Sequence, residues 1–291
     1  MLTKKLIVLG GLGFLGSEIL NLLHKKKLSN FKIFCGDLYP PLKKTDNFIQ
    51  IDILNRLETK KILKDFNVVI NCTGQVSNNL SDTLLMNTEG IVNIADSISL
   101  ACARFIQISS VAVYGTIANC SELSPINPEK PYGVCKTFAE SILKNKIKSD
   151  NLTILRLSNL YGNGQKKGLF AYILQSFFSD RKLHFNNNGN LVRSFIHVKD
   201  CSEMILKFIN DENLKGTYNI VGSQIFILKE LIKKFENMFK IKFQKQFENN
   251  DPWENINSFD QAKVESSINM SMKYEVFDYF NSQINGKIKN D

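Results

Sequence analysis

A tyrosine and a lysine stand four residues apart in the segment PYGVCK, at Tyr132 and Lys136. The proline that opens this segment predicts the first turn of a helix, and side chains four residues apart lie on one face of a helix. A lysine ammonium beside a tyrosine favours the phenolate and lowers the pKa of the phenol. Moving that pKa from about 10 to about 7 needs about 4 kcal/mol of differential stabilisation. The pair therefore predicts a base that takes and returns the proton of a substrate hydroxyl.

Two serines, Ser109 and Ser110, close the apolar run ARFIQISS further upstream. A serine hydroxyl at the end of this predicted strand could orient the same substrate oxygen. Tyrosine and lysine at this spacing also occur on ordinary helices, and paired serines often only cap a strand. The three residues gain weight together because α/β sheets bind their ligands at the carboxyl ends of the strands.

Four glycines fall within the segment IVLGGLGFLG near the start of the chain. Gly10, Gly13 and Gly16 fit G-x-x-G-x-x-G, and Gly11 with the last two fits G-x-G-x-x-G. Glycine is needed where the backbone turns sharply and approaches a pyrophosphate, and the helix that follows offers free N–H groups to the phosphates. The segment predicts a dinucleotide cradle, with a ligand-free strand-to-helix turn as the alternative.

An acidic residue, Asp37, ends the second predicted strand 21 residues beyond Gly16. A carboxylate at this place accepts hydrogen bonds from the adenosine ribose and repels a 2′-phosphate. We therefore expect NAD as the cofactor. Lys43 and Lys44 lie close enough in sequence to keep NADP as the less favoured alternative.

The elements that must position these residues alternate along the first half of the chain. Nearly continuous apolar runs predict buried parallel strands in KLIVLG, FKIFCGD, NFIQID, FNVVINCTG, ARFIQISS and LTILRLS. Apolar residues at helical spacing predict helices in FLGSEILNLLHKK, LETKKILKDF and LLMNTEGIVNIADSISLA. The alternation predicts an α/β fold, a Rossmann-type doubly wound parallel sheet.

The alternation of apolar strands and helices becomes less regular after about residue 160, where GNGQKKG and HFNNNGNLVRS predict polar loops. Further on, GTYNIV again predicts a buried strand. We expect an NAD-binding Rossmann domain over residues 1–160, with returning segments near 193–221. Residues 161–291 are expected to form mainly a smaller substrate-binding lobe.

The bulk composition narrows the class of protein. The 291 residues are 43% hydrophobic and 22% charged, no apolar run approaches the roughly 20 residues that cross a bilayer, and a signal-peptide pattern is lacking. We expect a cytoplasmic protein without membrane contact. The formal charge is +9, but the lysines are spread along the chain. A lysine-rich composition explains much of this charge, attraction of a small anionic substrate is a second possibility, and no nucleic-acid partner is expected.

Six cysteines are scattered without C-x-x-C spacing, which argues against a zinc site. A chain of this length needs no disulfide framework, so we expect reduced thiols and no metal. The cysteines are Cys35, Cys72, Cys102, Cys120, Cys135 and Cys201.

Together these motifs resemble the extended short-chain dehydrogenase/reductases, and within them the NAD-dependent epimerase/dehydratase family that acts on nucleotide sugars. The resemblance covers nearly the whole chain. GGLGFLG resembles the cofactor turn of that family, IDI its adenine-side acidic motif, and NCTG the place where the fourth strand meets the cofactor. SSVAVYG with YGVCK is similar to its Ser–Tyr–Lys triad, and RLSNLYG and RSFIHVKD are similar to its later signatures.

The resemblance implies a set of site residues, with His197 expected to be structural. The catalytic residues would be Ser110, Tyr132 and Lys136. The cofactor-binding residues would be Gly10, Gly13, Phe14, Leu15, Gly16, Asp37, Asp52, Ile53, Thr73, Gly74, Ser109, Tyr132 and Lys136. The substrate-binding residues would be Ser110, Val111, Tyr132, Asn159 and Arg193, with the guanidinium of the last on the diphosphate.

The sequence departs from the 4,6-dehydratases of that family, which carry an Asp-Glu pair directly after the triad hydroxyl. Val111 and Ala112 stand at those positions here. Because neither side chain can act as an acid or a base, dehydration is not favoured.

The resulting hypothesis is a nucleotide-sugar epimerase that oxidises a sugar hydroxyl, most plausibly at C4, to a transient ketone and returns hydride to the opposite face. A C4 dehydrogenase or 4-keto reductase with the same site is the first alternative. The second is a non-catalytic NAD(P)-binding regulator, although such proteins commonly lack the triad. The resemblance also implies a homodimer, paired through the stretch LLMNTEGIVNIADSI and the helix that starts at Tyr132.

Overall fold

The structure is a computed structural model. It describes residues 3–42, 47–74, 80–101, 103–269 and 272–288. Lys43, Lys44 and Cys102 lie outside the described residues.

Strands and helices alternate over much of the chain. The strands are β1 (Lys4–Leu9), β2 (Phe31–Asp37), β3 (Phe48–Gln50), β4 (Val68–Asn71), β5 (Arg104–Ser110), β6 (Ile117–Cys120), β7 (Leu152–Leu157), β8 (Asn159–Tyr161), β9 (Lys182–Phe185), β10 (Val192–His197), β11 (Gly216–Ile220), β12 (Gln224–Ile227), β13 (Gln244–Phe247) and β14 (Ile256–Phe259). The helices are α1 (Phe14–Lys26), α2 (Arg56–Leu63), α3 (Leu80–Asn87), α4 (Glu89–Ala101), α5 (Pro131–Lys146), α6 (Leu169–Phe178), α7 (Val198–Asn210), α8 (Leu228–Phe239), α9 (Ala262–Ser267) and α10 (Val276–Ile288).

The main sheet has seven strands in the order β3-β2-β1-β4-β5-β7-β11. Every neighbouring pair in it is parallel. The chain runs outward from β1 to β3 and then crosses to β4 on the other side, so the strand order reverses between β1 and β4. Open α/β sheets bind ligands at such a switch point, outside the carboxyl ends of the strands. The predicted doubly wound Rossmann-type fold is confirmed.

Helices cover both faces of this sheet, which explains why its strands are continuous apolar runs. Leu6 and Val8 of β1 pack in the core formed with α1 and α7. Ile7 and Leu9 point to the other face and pack in the core formed with α2, α4 and α5. All four side chains are fully buried.

A further apolar core lies in the C-terminal part of the chain, between α6, α8 and α10. Aromatic side chains fill it, with Phe170 stacked on Phe195 and Phe235 edge-on to Phe280. Next to it, β10 pairs with β8 and β12 in a small sheet, whereas β11 belongs to the main sheet. None of the helices in the described part of the chain is long and apolar enough to pass through a membrane.

Two segments differ from their prediction. The stretch predicted as one helix forms α3 and α4, which meet at Thr88. The Thr88 hydroxyl donates to the carbonyl of Leu84 (2.8 Å), and such back-bonding bends helices. The segment HFNNNGNLVRS is a loop only between β9 and β10, because Val192 to Ser194 pair with β12.

Candidate active site

Helix α5 begins beside the end of β5, and this contact brings together the three residues predicted to be catalytic. The Ser110 side chain lies close enough to the Tyr132 hydroxyl to lower its pKa. The Nζ atom of Lys136 lies 5.8 Å from the centre of the Tyr132 ring. Gly133 permits the close approach, because a Cβ atom there would lie 2.6 Å from the carbonyl oxygen of Ala112.

Lys136 is buried, with 2% of its surface exposed, and its ammonium is held by main-chain carbonyls. Its Nζ atom donates to the carbonyl of Thr73 after β4 (3.4 Å) and to that of Ile108 in β5 (3.3 Å). Burial lowers the pKa of Lys136 to about 8. The side chain therefore fastens α5 to the ends of two central strands.

The pKa of Tyr132 differs from the prediction made from its spacing to Lys136. Burial raises this pKa above its usual value, and the negative charge of Glu254 raises it further. The Ser110 side chain acts in the opposite direction, but its influence on the pKa is outweighed. Spacing on a helix revealed the lysine, but neither the desolvation of the phenol nor the distant carboxylate.

The glycine turn has the close backbone contacts expected of a dinucleotide cradle. Gly10 has a φ of +70°, and a Cβ atom on Gly16 would lie 2.2 Å from the Gly10 carbonyl oxygen. Helix α1 starts with Phe14 and Leu15, after Gly13. Its cap has no side-chain hydrogen bond and its first turn has no acidic residue. The positive end of α1 is thus left for an anion, which fits the pyrophosphate of NAD.

Asp37 ends β2 beside this turn. Its Oδ2 atom accepts the N–H of Leu12 (2.9 Å) and its Oδ1 atom accepts the N–H of Leu38 (2.8 Å). Each carboxylate oxygen has a second lone pair that can accept a ribose hydroxyl. The carboxylate also ties the glycine turn to β2, a role that the sequence did not reveal.

The remaining residues predicted to bind cofactor follow β3 and β4. The Asp52 carboxylate accepts the N–H two residues later (2.9 Å), and the Ile53 side chain is buried. The Thr73 hydroxyl donates to Asn71 (2.6 Å), and Gly74 has a φ of +76°. Because β3 and β4 are parallel members of the main sheet, these loops lie at the same edge as the glycine turn.

Ser109, predicted to bind the cofactor, has a buried side chain at the end of β5. Its hydroxyl donates to Oε1 of Glu140 on α5 (2.6 Å). The same carboxylate accepts two hydrogen bonds from Arg156 on β7 (2.9 and 2.6 Å), and Arg156 also donates to the Tyr114 hydroxyl (2.7 Å). This buried network joins α5 to β5 and β7, so the Ser109 hydroxyl is structural.

Glu140 and Arg156 keep their charges in this buried network. Burial alone would raise the pKa of Glu140, but the hydrogen bonds from Arg156 and Ser109 hold it below its usual value. Burial alone would lower the pKa of Arg156, but its hydrogen bonds to Glu140 raise it. The sequence contained one indication of this network, the arginine inside the apolar strand LTILRLS, because a buried charge needs a buried partner.

Besides Tyr132 on α5, the residues predicted to bind substrate lie on three further elements. Ser110 and Val111 open the short 3-10 turn that follows β5. Asn159 is exposed at the start of β8, and its amide donates to the carbonyl of Ser194 (3.1 Å). Arg193 lies on β10, which pairs with β8.

The guanidinium of Arg193 contacts the segment that precedes β14. It donates to the carbonyls of Val192 (3.0 Å), Glu254 (2.7 Å) and Trp253 (3.0 Å). One of its nitrogens lies 3.7 Å from the Glu254 carboxylate. Glu254 was not found from the sequence, because it lies in a loop 61 residues from Arg193 and matches no local pattern.

His197, expected to be structural, ends β10 and caps α7. Its Nδ1 atom accepts the N–H of Lys199 (3.2 Å) at the start of α7, and its ring stacks on Tyr274 (4.1 Å between centroids). Burial lowers its pKa to about 4, so the imidazole is neutral at pH 7. In the described ranges, no cluster of three or more His, Cys, Asp or Glu side chains could hold a metal ion.

The sequence model of the NAD dependent epimerase/dehydratase family matches residues 6–221 of this chain. The chain therefore belongs to this family. The family resemblance, the enzyme class and NAD as the cofactor, all predicted from the sequence, agree with this membership. A putative UDP-glucose 4-epimerase of Methanocaldococcus jannaschii is 28% identical over 229 residues, which cover 72% of this chain and 74% of that protein.

Two further proteins are similar over most of the chain. A dTDP-glucose 4,6-dehydratase of Mycolicibacterium smegmatis is 24% identical over 241 residues, or 76% of this chain and 72% of the relative. The solved structure of MoeE5 in complex with UDP-glucuronic acid and NAD has a TM-score of 0.84 at 20% identity, and the match covers 99% of this chain and 100% of the other. The structural similarity shows a shared fold.

Proposed function

We propose that this protein is an NAD-dependent nucleotide-sugar 4-epimerase. The observation that carries the proposal is the group formed by Ser110, Tyr132 and Lys136, which lies at the same carboxyl edge of the sheet as the glycine turn. A 4-epimerase must remove a proton from the C4 hydroxyl and return it, and a positioned phenol does both. The similarity to a putative UDP-glucose 4-epimerase supports the same reaction.

Each side chain of the group has a distinct task in this reaction. Tyr132 takes the proton of the C4 hydroxyl and later gives it back, while Ser110 hydrogen-bonds the same sugar oxygen. Lys136 holds α5 against β4 and β5 through its two carbonyl contacts and so fixes the phenol. NAD, when bound, supplies the acceptor and donor of hydride, and its oxidised form adds a positive charge that favours the phenolate.

We place the substrate between this group and the C-terminal part of the chain. Arg193 would bind the diphosphate, with Val111 and Asn159 on the sugar side. Residues 1–160 with the segments near 193–221 would then hold NAD, and residues 161–291 would mainly hold the nucleotide sugar. We do not propose dehydration, because Val111 and its neighbour provide neither an acid nor a base.

We also propose that the protein is a homodimer that pairs through α5 and the stretch LLMNTEGIVNIADSI, which forms the end of α3 and most of α4. These helices pack against each other and expose large apolar side chains that a second copy could cover. The exposed side chains are Leu80, Leu84, Leu85, Val134 and Phe138. Light scattering after size exclusion should give twice the chain mass, and F138D should give the monomer. A monomeric wild type at tens of micromolar would contradict this pairing.

The cytoplasmic location and the absence of a nucleic-acid partner stay predictions.

The proposed reaction can be tested without added cofactor. The purified protein is assayed for co-purifying NAD and then incubated with UDP-, GDP-, dTDP- and CDP-sugars, with products identified by NMR. We expect C4 epimers of one sugar nucleotide and no net absorbance change at 340 nm. Turnover that needs stoichiometric external NAD(P)H would instead identify a C4 dehydrogenase or a 4-keto reductase.

A further inference from the structure

Glu254 has a carboxylate that the fold buries without fully satisfying. Its side chain is 15% exposed, and Oε1 is buried with no hydrogen-bond partner among the described residues. The other oxygen, Oε2, lies 3.7 Å from a guanidinium nitrogen of Arg193, beyond hydrogen-bonding distance. Buried carboxylate oxygens are normally hydrogen-bonded, so this side chain is poorly held where it lies.

The backbone of Glu254, by contrast, is firmly fixed. Its N–H donates to the carboxylate of Glu129, and its carbonyl accepts from Arg193. The next residue, Asn255, donates its N–H to the Thr116 hydroxyl (3.1 Å), and β14 then pairs with β6. Glu254 has a φ of +56°, a left-handed conformation that is unfavourable for a residue with a side chain. Only the side chain is therefore free to move.

The Glu254 carboxylate also lies on the substrate side of the proposed active site. Its charge is close enough to raise the pKa of Tyr132. It faces Arg193, Glu129 and Lys130, and burial raises its own pKa despite the two cations. The carboxylate is thus near both the proposed base and the proposed diphosphate ligand.

Arg193 binds the protein strongly through carbonyls and only loosely through this carboxylate. Three carbonyl contacts of 2.7 to 3.0 Å hold its guanidinium in place. An anion that reached the guanidinium could form a shorter, charge-assisted hydrogen bond than the 3.7 Å contact with Glu254. The carbonyl contacts need not break for this exchange.

We propose that the Glu254 carboxylate competes with the diphosphate of the substrate for Arg193, and that Glu254 thereby sets the affinity of the site for anionic ligands. This inference rests on the proposed function, because it takes Arg193 as the residue that binds the diphosphate. Binding then requires the Glu254 side chain to turn away from the guanidinium. The cost of that movement, and the repulsion between the two anions, weaken the binding of the nucleotide.

The test measures nucleoside diphosphate binding to the NAD-loaded protein by isothermal titration calorimetry. UDP, GDP, dTDP and CDP are each titrated into the wild type and into E254Q, which keeps the size of the side chain and removes its charge. E230Q on α8 is the matched control, because it removes the same charge from an exposed position outside the proposed site. R193Q tests the diphosphate site itself.

We expect E254Q to bind the preferred nucleoside diphosphate about tenfold more tightly than the wild type. E230Q should match the wild type, and R193Q should bind more weakly. If E254Q binds equally or more weakly while R193Q is impaired, the competition is wrong and the diphosphate site stands. The proposed function fails at this site if no nucleoside diphosphate binds the wild type, or if R193Q binds the nucleoside diphosphate as tightly as the wild type does. The inference then fails as well.

Discussion

Two arginine–glutamate pairs, Arg156–Glu140 and Arg193–Glu254, differ in almost every physical respect. Arg156 and Glu140 are 2% and 5% exposed and meet through two hydrogen bonds of 2.6 and 2.9 Å. Arg193 and Glu254 are 18% and 15% exposed, and their closest charged atoms are 3.7 Å apart. The Glu140 carboxylate also accepts a hydrogen bond from the Ser109 hydroxyl. The Glu254 carboxylate, by contrast, has one oxygen without a hydrogen-bond partner among the described residues.

The difference separates a pair that holds the fold from a pair that is available to a ligand. Breaking a buried, fully hydrogen-bonded pair leaves an uncompensated charge in the protein interior, which is strongly destabilising. A loosely held pair contributes little to stability, and its members can change partners at small cost. Glu140 therefore fixes the helix that carries Tyr132, while Glu254 lies where the substrate is expected to bind.

The proposed reaction depends on one phenol, so the largest effect should come from Tyr132 itself. Tyr132→Phe removes the proton carrier, and we expect kcat to fall about a thousandfold, as for the loss of a general base. The thermal midpoint should stay near that of the wild type. Tyr218→Phe, which removes a hydroxyl on β11 at the edge of the sheet, is the control and should keep full activity. A Tyr132→Phe variant with normal turnover would move the chemistry elsewhere.

The contrast between the two pairs can be broken directly by the same substitution in each. Glu140→Gln leaves the Arg156 guanidinium buried and uncompensated, and we expect a loss of about 4 kcal/mol in the free energy of unfolding. Glu254→Gln should change this free energy by less than about 1 kcal/mol. Urea denaturation measures both. Equal losses in the two variants would show that the pairs do not differ in kind.

Lys136 extends the comparison of the two pairs, because it is a buried cation whose ammonium is held by main-chain carbonyls and not by a carboxylate. Its pKa is about 8 in the folded protein, whereas the ordinary value for a lysine is 10.5. Between these values the unfolded chain binds more protons than the folded one, so this lysine makes stability rise with pH. Relative to Lys136→Met, the wild type should gain about 3 kcal/mol between pH 8 and pH 10.5. A difference that stays flat or falls in urea titrations over this range would mean that Lys136 is not desolvated.

The smallest effect separates the two serines at the end of β5. Ser109→Ala removes one hydrogen bond to Glu140, so we expect a loss of about 1 kcal/mol in unfolding free energy with unchanged NAD affinity. Ser110→Ala should lower kcat. Denaturation, NAD titration and turnover distinguish the two variants. A loss of NAD affinity in Ser109→Ala would return its hydroxyl to the cofactor site.

The parts of the molecule that depend on local pattern were predictable from the sequence. The continuous apolar runs predicted the parallel strands, because a strand covered on both faces has no polar side. The glycine spacing predicted the turn around Gly10 and Gly16, since Gly10 has a positive φ and a side chain on Gly16 would collide with backbone. The four-residue spacing of Tyr132 and Lys136 predicted that both lie on one face of a helix.

The parts that depend on contacts between distant segments were not predictable. Glu254 reaches the site through the pairing of β14 with β6, and no local pattern announces that pairing. The Ser109 hydroxyl was expected at the cofactor, but a carboxylate on α5 draws it into the core. The pKa of Tyr132 depends on desolvation and on Glu254, both of which are properties of the folded protein.

The central claim, that hydrogen leaves C4 of the sugar and returns to its opposite face, is tested most directly with a sugar nucleotide deuterated at C4. The substrate is the one found by the incubation assay, and the product is analysed by NMR and mass spectrometry in ordinary water. Deuterium retained at C4 of the epimer is the predicted result. Deuterium lost to solvent, or a product that stays oxidised at C4, would contradict it.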